Sequence, residues 1–192
     1  MSSTIGGMVA LTDVLTDVPT TTAGALELFD SCPAIETDFM LGTWHGVELP
    51  TGHRLDGLLA ASGWWGKHFK DCETVHPLLF PTADGTGLWP LNPVLAFAGL
   101  GAAARLPALG SRGFAGVITA LKPALRARGP KARLRTTRYR GVDTATMIYD
   151  QLPVNDVFRS IDDRTVLGAM DLRGIRTPYF FVLQRDNSLR LT

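Results

Sequence analysis

The sequence predicts a mainly β protein, an antiparallel barrel or strongly curled sheet with two or three accessory helices. Three observations lead there. In the last third, four runs (133–140, 144–150, 164–172 and 179–185) read as strands set apart by turn residues such as Asp162-Asp163 and Arg173-Gly174. Several of these runs carry apolar residues on both faces, Phe180 and Val182 against Tyr179, Phe181 and Leu183 for example, so one face must be covered. Upstream, 39–49 alternates Phe39, Leu41, Thr43, His45 and Val47 with Met40, Gly42, Trp44, Gly46 and Glu48. Strands at short spacing joined by turns favour a curled or closed sheet.

The remaining elements follow in chain order. Residues 1–22 read as a loose tail ahead of a single domain, 23–192. A short helix begins near Ala23, with Leu26, Leu28 and Phe29 inward and Thr21 or Thr22 as its cap. After the turn Pro50-Thr51-Gly52, Leu58, Leu59, Trp64, Trp65 and Phe69 suggest a helix over 56–69, interrupted by Gly63 and Gly66. A strand is expected over 75–80. Residues 82–110 read as loop or two short helices, and Phe114, Val117, Ile118, Leu121 and Leu125 predict a helix over 111–128, kinked at Pro123.

With 192 residues the chain can bury about two-thirds of its unfolded surface. It is 45% hydrophobic and only 19% charged, with a mean hydropathy of +0.11. No signal-like start is visible, and the longest apolar stretch, 94–104, is well short of the roughly 18 residues a bilayer span needs. Cys32 and Cys72 match no disulfide framework or zinc pattern. Together these features predict a cytoplasmic protein with reduced thiols.

The net charge of +1 hides an asymmetry: residues 1–104 carry 3 Lys/Arg against 11 Asp/Glu, and 105–192 carry 16 against 7. The stretch between Asp84 and Asp143 is free of acids. This basic segment pairs with the acidic half, or else the 111–128 helix makes transient contact with an anionic membrane surface. Nucleic acid is not an expected partner, because few aromatic residues accompany the Arg cluster 126–140.

Catalytic signals are sparse. His45, His53, His68 and His76 fall at no metal-ligand spacing, Ser62 lacks a nucleophile elbow, and the Gly85/Gly87 and Gly99/Gly101 pairs lack the remaining features of a dinucleotide loop. Asp150, Asp156, Asp162 and Asp163 read as turn and cap residues. No catalytic residue, cofactor or metal is assigned.

The segments LGTWHGVELP (41–50), GWWGKHF (63–69) and VHPLLF (75–80) resemble the bacterial GXWXG family. The runs MIYDQLPVNDV (147–157), DDRTVLGAM (162–170) and PYFFVLQR (178–185) resemble the domain of unknown function that follows it. The resemblance spans about 25–186, divided into a GXWXG-like part (25–82), a helical or loop insert (83–130) and a C-terminal sheet (131–186). The Gly-x-Trp strand is also similar to the first strand of calycin barrels, the lipocalins and fatty-acid-binding proteins, which implies a calycin-like fold holding an apolar ligand. On that expectation the cavity sits near Trp44, with His45, Arg138, Tyr139, Tyr149, Tyr179 and Phe181 as further ligand-binding candidates. The ligand expected is a fatty acid or related lipid. The alternatives are an enzyme using His45 and a Tyr as acid and base, a haem protein with His45 as axial ligand, or a membrane-surface adaptor.

Overall fold

Ten strands join into one sheet in the computed structural model, which describes residues 15, 17–103, 118 and 121–192. They are β1 (Gly42–Leu49), β2 (Gly66–Phe69), β3 (Val75–Pro81), β4 (Gly87–Pro90), β5 (Ala132–Tyr139), β6 (Val142–Tyr149), β7 (Val154–Ser160), β8 (Thr165–Leu172), β9 (Tyr179–Arg185) and β10 (Arg190–Leu191). The order is β10-β4-β3-β2-β1-β9-β8-β7-β6-β5, and Val75 of β3 also pairs with Ala132 of β5. That last pairing curls the sheet into a ring of β3, β2, β1, β9, β8, β7, β6 and β5, with β4 and β10 hung on its edge. Apart from the parallel β10–β4 contact, every ladder is antiparallel.

Strand alternation divides the apolar residues into two cores. Trp44, Phe69, Val75, Leu134, Met147, Phe158 and Phe181 fill the ring. On the outside, Leu49, Val157, Leu167, Phe180 and Val182 lie beneath Ala25 and Phe29 of helix α1 (Thr22–Ser31), which Thr21 caps by accepting the Gly24 N–H at 3.2 Å. Strands buried on both faces explain the near-continuous apolar runs of β8 and β9. Among the described residues this outer layer is α1; two further helices were expected, over 56–69 and 111–128.

Of those two, the first ends early. Helix α2 (Leu58–Ser62) stops at Gly63, whose φ of +76° is the left-handed C-terminal conformation that glycine adopts without strain, and 66–69 becomes β2. The second falls largely outside the described residues, which show helix α4 at Lys122–Leu125. Between them, where loop or two short helices were expected, the chain forms β4 and helix α3 (Pro93–Ala103). A fifth C-terminal strand, β7, occupies 154–160, in the interval between the runs 144–150 and 164–172 read as strands. At the other end of 39–49, residues Thr37–Met40 form a 3-10 turn, so β1 starts at Gly42.

The β5–β6 hairpin turns through Arg140 and Gly141, both at positive φ (+49° and +82°), the geometry that matches strand twist in a two-residue loop. Arg140 then grips Asp30 of α1 through two hydrogen bonds of 2.7 and 2.6 Å, fixing the helix to the outer face.

Candidate functional site

Two charged side chains meet inside the ring. Lys67 stands on β2 and Asp156 on β7, opposite each other in the order of ring strands, and Lys67 Nζ lies 2.8 Å from Asp156 Oδ2. Their side chains are 3% and 1% exposed. A one-residue register shift between β2 and β3, at Gly66/His68, sets Lys67 opposite Pro77, whose carbonyl accepts a second Lys67 hydrogen bond at 3.2 Å. Bulges of this kind re-aim a strand side chain. The ammonium also lies 4.9 Å from the Phe181 ring centroid, 5.4 Å from Trp64 and 6.0 Å from Tyr149. Desolvating each ion of such a pair costs several kcal/mol, so burial of the pair is weak evidence of a role in stability.

Beside the pair is a cavity of about 50 Å³, walled chiefly by Leu59, Trp64, Leu78, Tyr149, Tyr179 and Phe181. Half-buried Leu58 of α2, Phe97 of α3 and Met170 of β8 complete it. Three of the lining residues carry buried polar atoms without a hydrogen-bond partner: Asp156 Oδ1, Trp64 Nε1 and the Tyr179 hydroxyl. Leaving such an atom unsatisfied costs about 1–3 kcal/mol. Burial pushes the Tyr149 and Tyr179 phenols up, with the negative charges of Asp156 and Glu48 adding to the effect respectively, so both hydroxyls keep their protons. Burial also raises the Asp156 carboxyl, against the pull of Lys67.

Helix α2 is held over the cavity by acids. Glu48 on β1 accepts the backbone N–H groups of Gly57, Leu59 and Ala60, and Asp56 Oδ2 accepts those of Thr51, Gly52 and His53 at 2.8–3.0 Å. The buried His53 ring, 5.5 Å from Tyr179, accepts the Leu55 N–H at 3.2 Å. Small residues make room for the aromatic wall. A Cβ on Gly46 would come 2.1 Å from the Trp64 ring, and one on Gly168 would come 2.3 Å from Phe181.

Among the expected ligand residues, Tyr149, Tyr179 and Phe181 meet at this cavity. Trp44 is buried in the ring, but its indole donates to the Met40 carbonyl at 2.7 Å and the Arg185 guanidinium stacks at 4.3 Å. It braces the interior and does not line the cavity. The other three lie away from the cavity. His45 alternates with Trp44 onto the outer face, where it packs at 4.9 Å on Trp65. Arg138 has the inward parity of Leu134 but lies beyond the packed interior, 70% exposed and paired with Asp143. Tyr139 faces outward against Phe29 of α1.

Sequence reasoning missed Lys67, Asp156 and Trp64. Lys67 has a visible signal as the lone cation in GWWGKHF. Asp156, read as a turn residue, shares its strand face with Val154 and Phe158, which both point inward. The helix expected over 111–128 lies mostly outside the described residues; of its cations, Lys122 is seen 5.6 Å above the Trp89 ring. Among the described residues, no three His, Cys, Asp or Glu side chains are arranged to hold a metal, and no helix is long and apolar enough to cross a membrane. Cys32 and Cys72 are free.

Fold and site together define a curled-sheet protein with a packed interior, an apolar cavity and a sealed ion pair at its wall. The chain belongs to the GXWXG family: residues 27–85 match the GXWXG protein family, and residues 130–185 match a domain of unknown function, DUF4334. It is similar to a protein from Thermomonospora curvata whose crystal structure superposes with a TM-score of 0.62, at 33% identity over 86% of this chain and 87% of that one. No curated protein matches the chain.

Proposed function

We propose that this protein binds a small, predominantly apolar molecule with one polar head, the class to which fatty acids and related lipids belong. The ligand's body fills the cavity beside Trp64 and Phe181, and its head meets Lys67 and Asp156. The observation that carries this reading is the coincidence of an apolar cavity with three unsatisfied buried polar atoms and an ion pair. Apolar lining gives affinity at roughly 25 cal/mol per Å² removed from water, and a few placed polar groups orient the guest.

Size narrows the reading. At about 50 Å³ the cavity is smaller than the ~150 Å³ engineered pocket that takes up benzene, so a chain-like ligand must displace Leu58, Leu59 and Phe97 at the rim. Native mass spectrometry of the purified protein, and calorimetric titration with six- to twelve-carbon amphiphiles, test this directly. Binding that is abolished by the cavity-filling variant Met170→Trp, in protein that stays folded, supports the reading. A protein that takes up none of these compounds at millimolar concentration overturns it.

A further inference from the structure

We infer that the polar head recognised in this cavity is a neutral hydroxyl, an inference that rests on the binding role proposed above and narrows it. Among the residues lining the cavity, the buried polar atoms without a hydrogen-bond partner are one acceptor, Asp156 Oδ1, and two donors, Tyr179 Oη–H and Trp64 Nε1–H. Each belongs to a residue lining the same cavity. A hydroxyl donates one hydrogen bond and accepts two, so it can satisfy Asp156 while taking a bond from Tyr179 or Trp64.

Other heads fit worse. A carboxylate would face Asp156 in a medium of low dielectric, and the Lys67 cation that could offset the repulsion already donates to Asp156 Oδ2 at 2.8 Å and to the Pro77 carbonyl at 3.2 Å. An ammonium would compete with Lys67 for the one carboxylate, beside three rings that already hold a cation. A ketone accepts from Tyr179 and Trp64 but leaves Asp156 Oδ1 bare. A site with buried groups waiting for a hydroxyl discriminates strongly against analogues that lack one, because those groups then stay unpaired.

The probes are six-carbon compounds of matched length, 1-hexanol, 2-hexanone, hexanoate and hexylamine, titrated calorimetrically into the full chain at pH 7.5. The expected result is that hexanol binds at least about tenfold tighter than each of the others, since one lost bond to a charged group is worth about 1.5–3 kcal/mol. That preference should shrink several-fold in Tyr179→Phe and vanish in the double variant Lys67→Met/Asp156→Leu, which removes the pair without leaving a bare charge. Tyr179→Phe supplies the test if the double variant does not fold. Hexanoate or hexanone binding as well as hexanol would overturn the hydroxyl assignment while leaving the binding role standing. If none of the four binds, the hydroxyl assignment is overturned, and the binding role falls with it when the amphiphiles of up to twelve carbons also fail to bind.

Discussion

Gly46 and Trp64 compete for one volume: a β-carbon at position 46 would sit 2.1 Å from Cη2 of the indole. The second glycine of the Gly42-x-Trp44-x-Gly46 motif is therefore a seat for an aromatic wall residue nearly twenty positions away. Trp44, between the two glycines, is itself locked by Met40 and Arg185. Gly46→Ala should displace Trp64 and lower stability by about 1–3 kcal/mol, in the usual range for overpacking. Adding Trp64→Leu should restore part of that loss. Chemical denaturation of the single and double variants measures both, and additive losses would show that the two positions do not share the space.

The ion pair across the ring predicts a non-additive cycle. Removing one partner, as in Lys67→Met or Asp156→Leu, leaves a buried charge alone and should cost about 3–5 kcal/mol. Removing both should cost much less than the sum. Urea unfolding of the four proteins gives the coupling energy; a coupling near zero would mean the charges reach solvent when separated.

Glu48 predicts a local effect. Its carboxylate collects three backbone N–H groups at the start of α2, so Glu48→Gln should loosen residues 57–62 while the ring stays intact. Hydrogen exchange should speed up at Leu59 and Ala60 but not in β5–β9. Uniform acceleration through the sheet would instead mark Glu48 as a support of the whole fold.

The histidines set an acid limit. Burial is the leading cause holding His45, His53, His68 and His76 below the ordinary imidazole value, with Lys70 acting the same way on His68, and His68 on His76. A lowered folded pKa means the unfolded chain binds protons more readily. The contribution to stability is therefore complete above about pH 6.5 and is lost as pH falls through the folded values. Melting temperature should drop between pH 7 and 5, and the drop should shrink in His76→Gln, whose ring stacks on His68 at 6.4 Å. A flat profile would contradict the burial account.

Strand periodicity made much of the sheet legible. Tyr179–Arg185 was predicted with its true bounds, and the two faces of β1 were assigned correctly from Thr43/His45 against Trp44/Gly46. β7 was hidden because Pro153 and Asn155-Asp156 carry turn chemistry, and long-range pairing with β6 and β8 overrides that local preference. β2 was hidden because Phe69, four residues after Trp65, continues a helical spacing that only the conformation of Gly63 ends. The site was less legible for a related reason. Tyr149, Tyr179 and Phe181 were visible as inward aromatics, but the Lys67–Asp156 pair joins residues 89 positions apart, and no local spacing announces a contact made across a ring.

The ring's two seams bear on how this gene can be divided. The segment matching GXWXG contributes β1, β2 and β3, and the segment matching DUF4334 contributes β5 to β9. They are sewn together by six residue pairs along β1–β9 and a single bridge at Val75–Ala132. Severed, each piece would present two raw strand borders, the templates on which foreign chains stick. The two named modules are thus half-shells of one vessel: a lineage that kept one without the other would inherit an aggregation hazard, with Lys67 and Asp156 stranded on separate polypeptides.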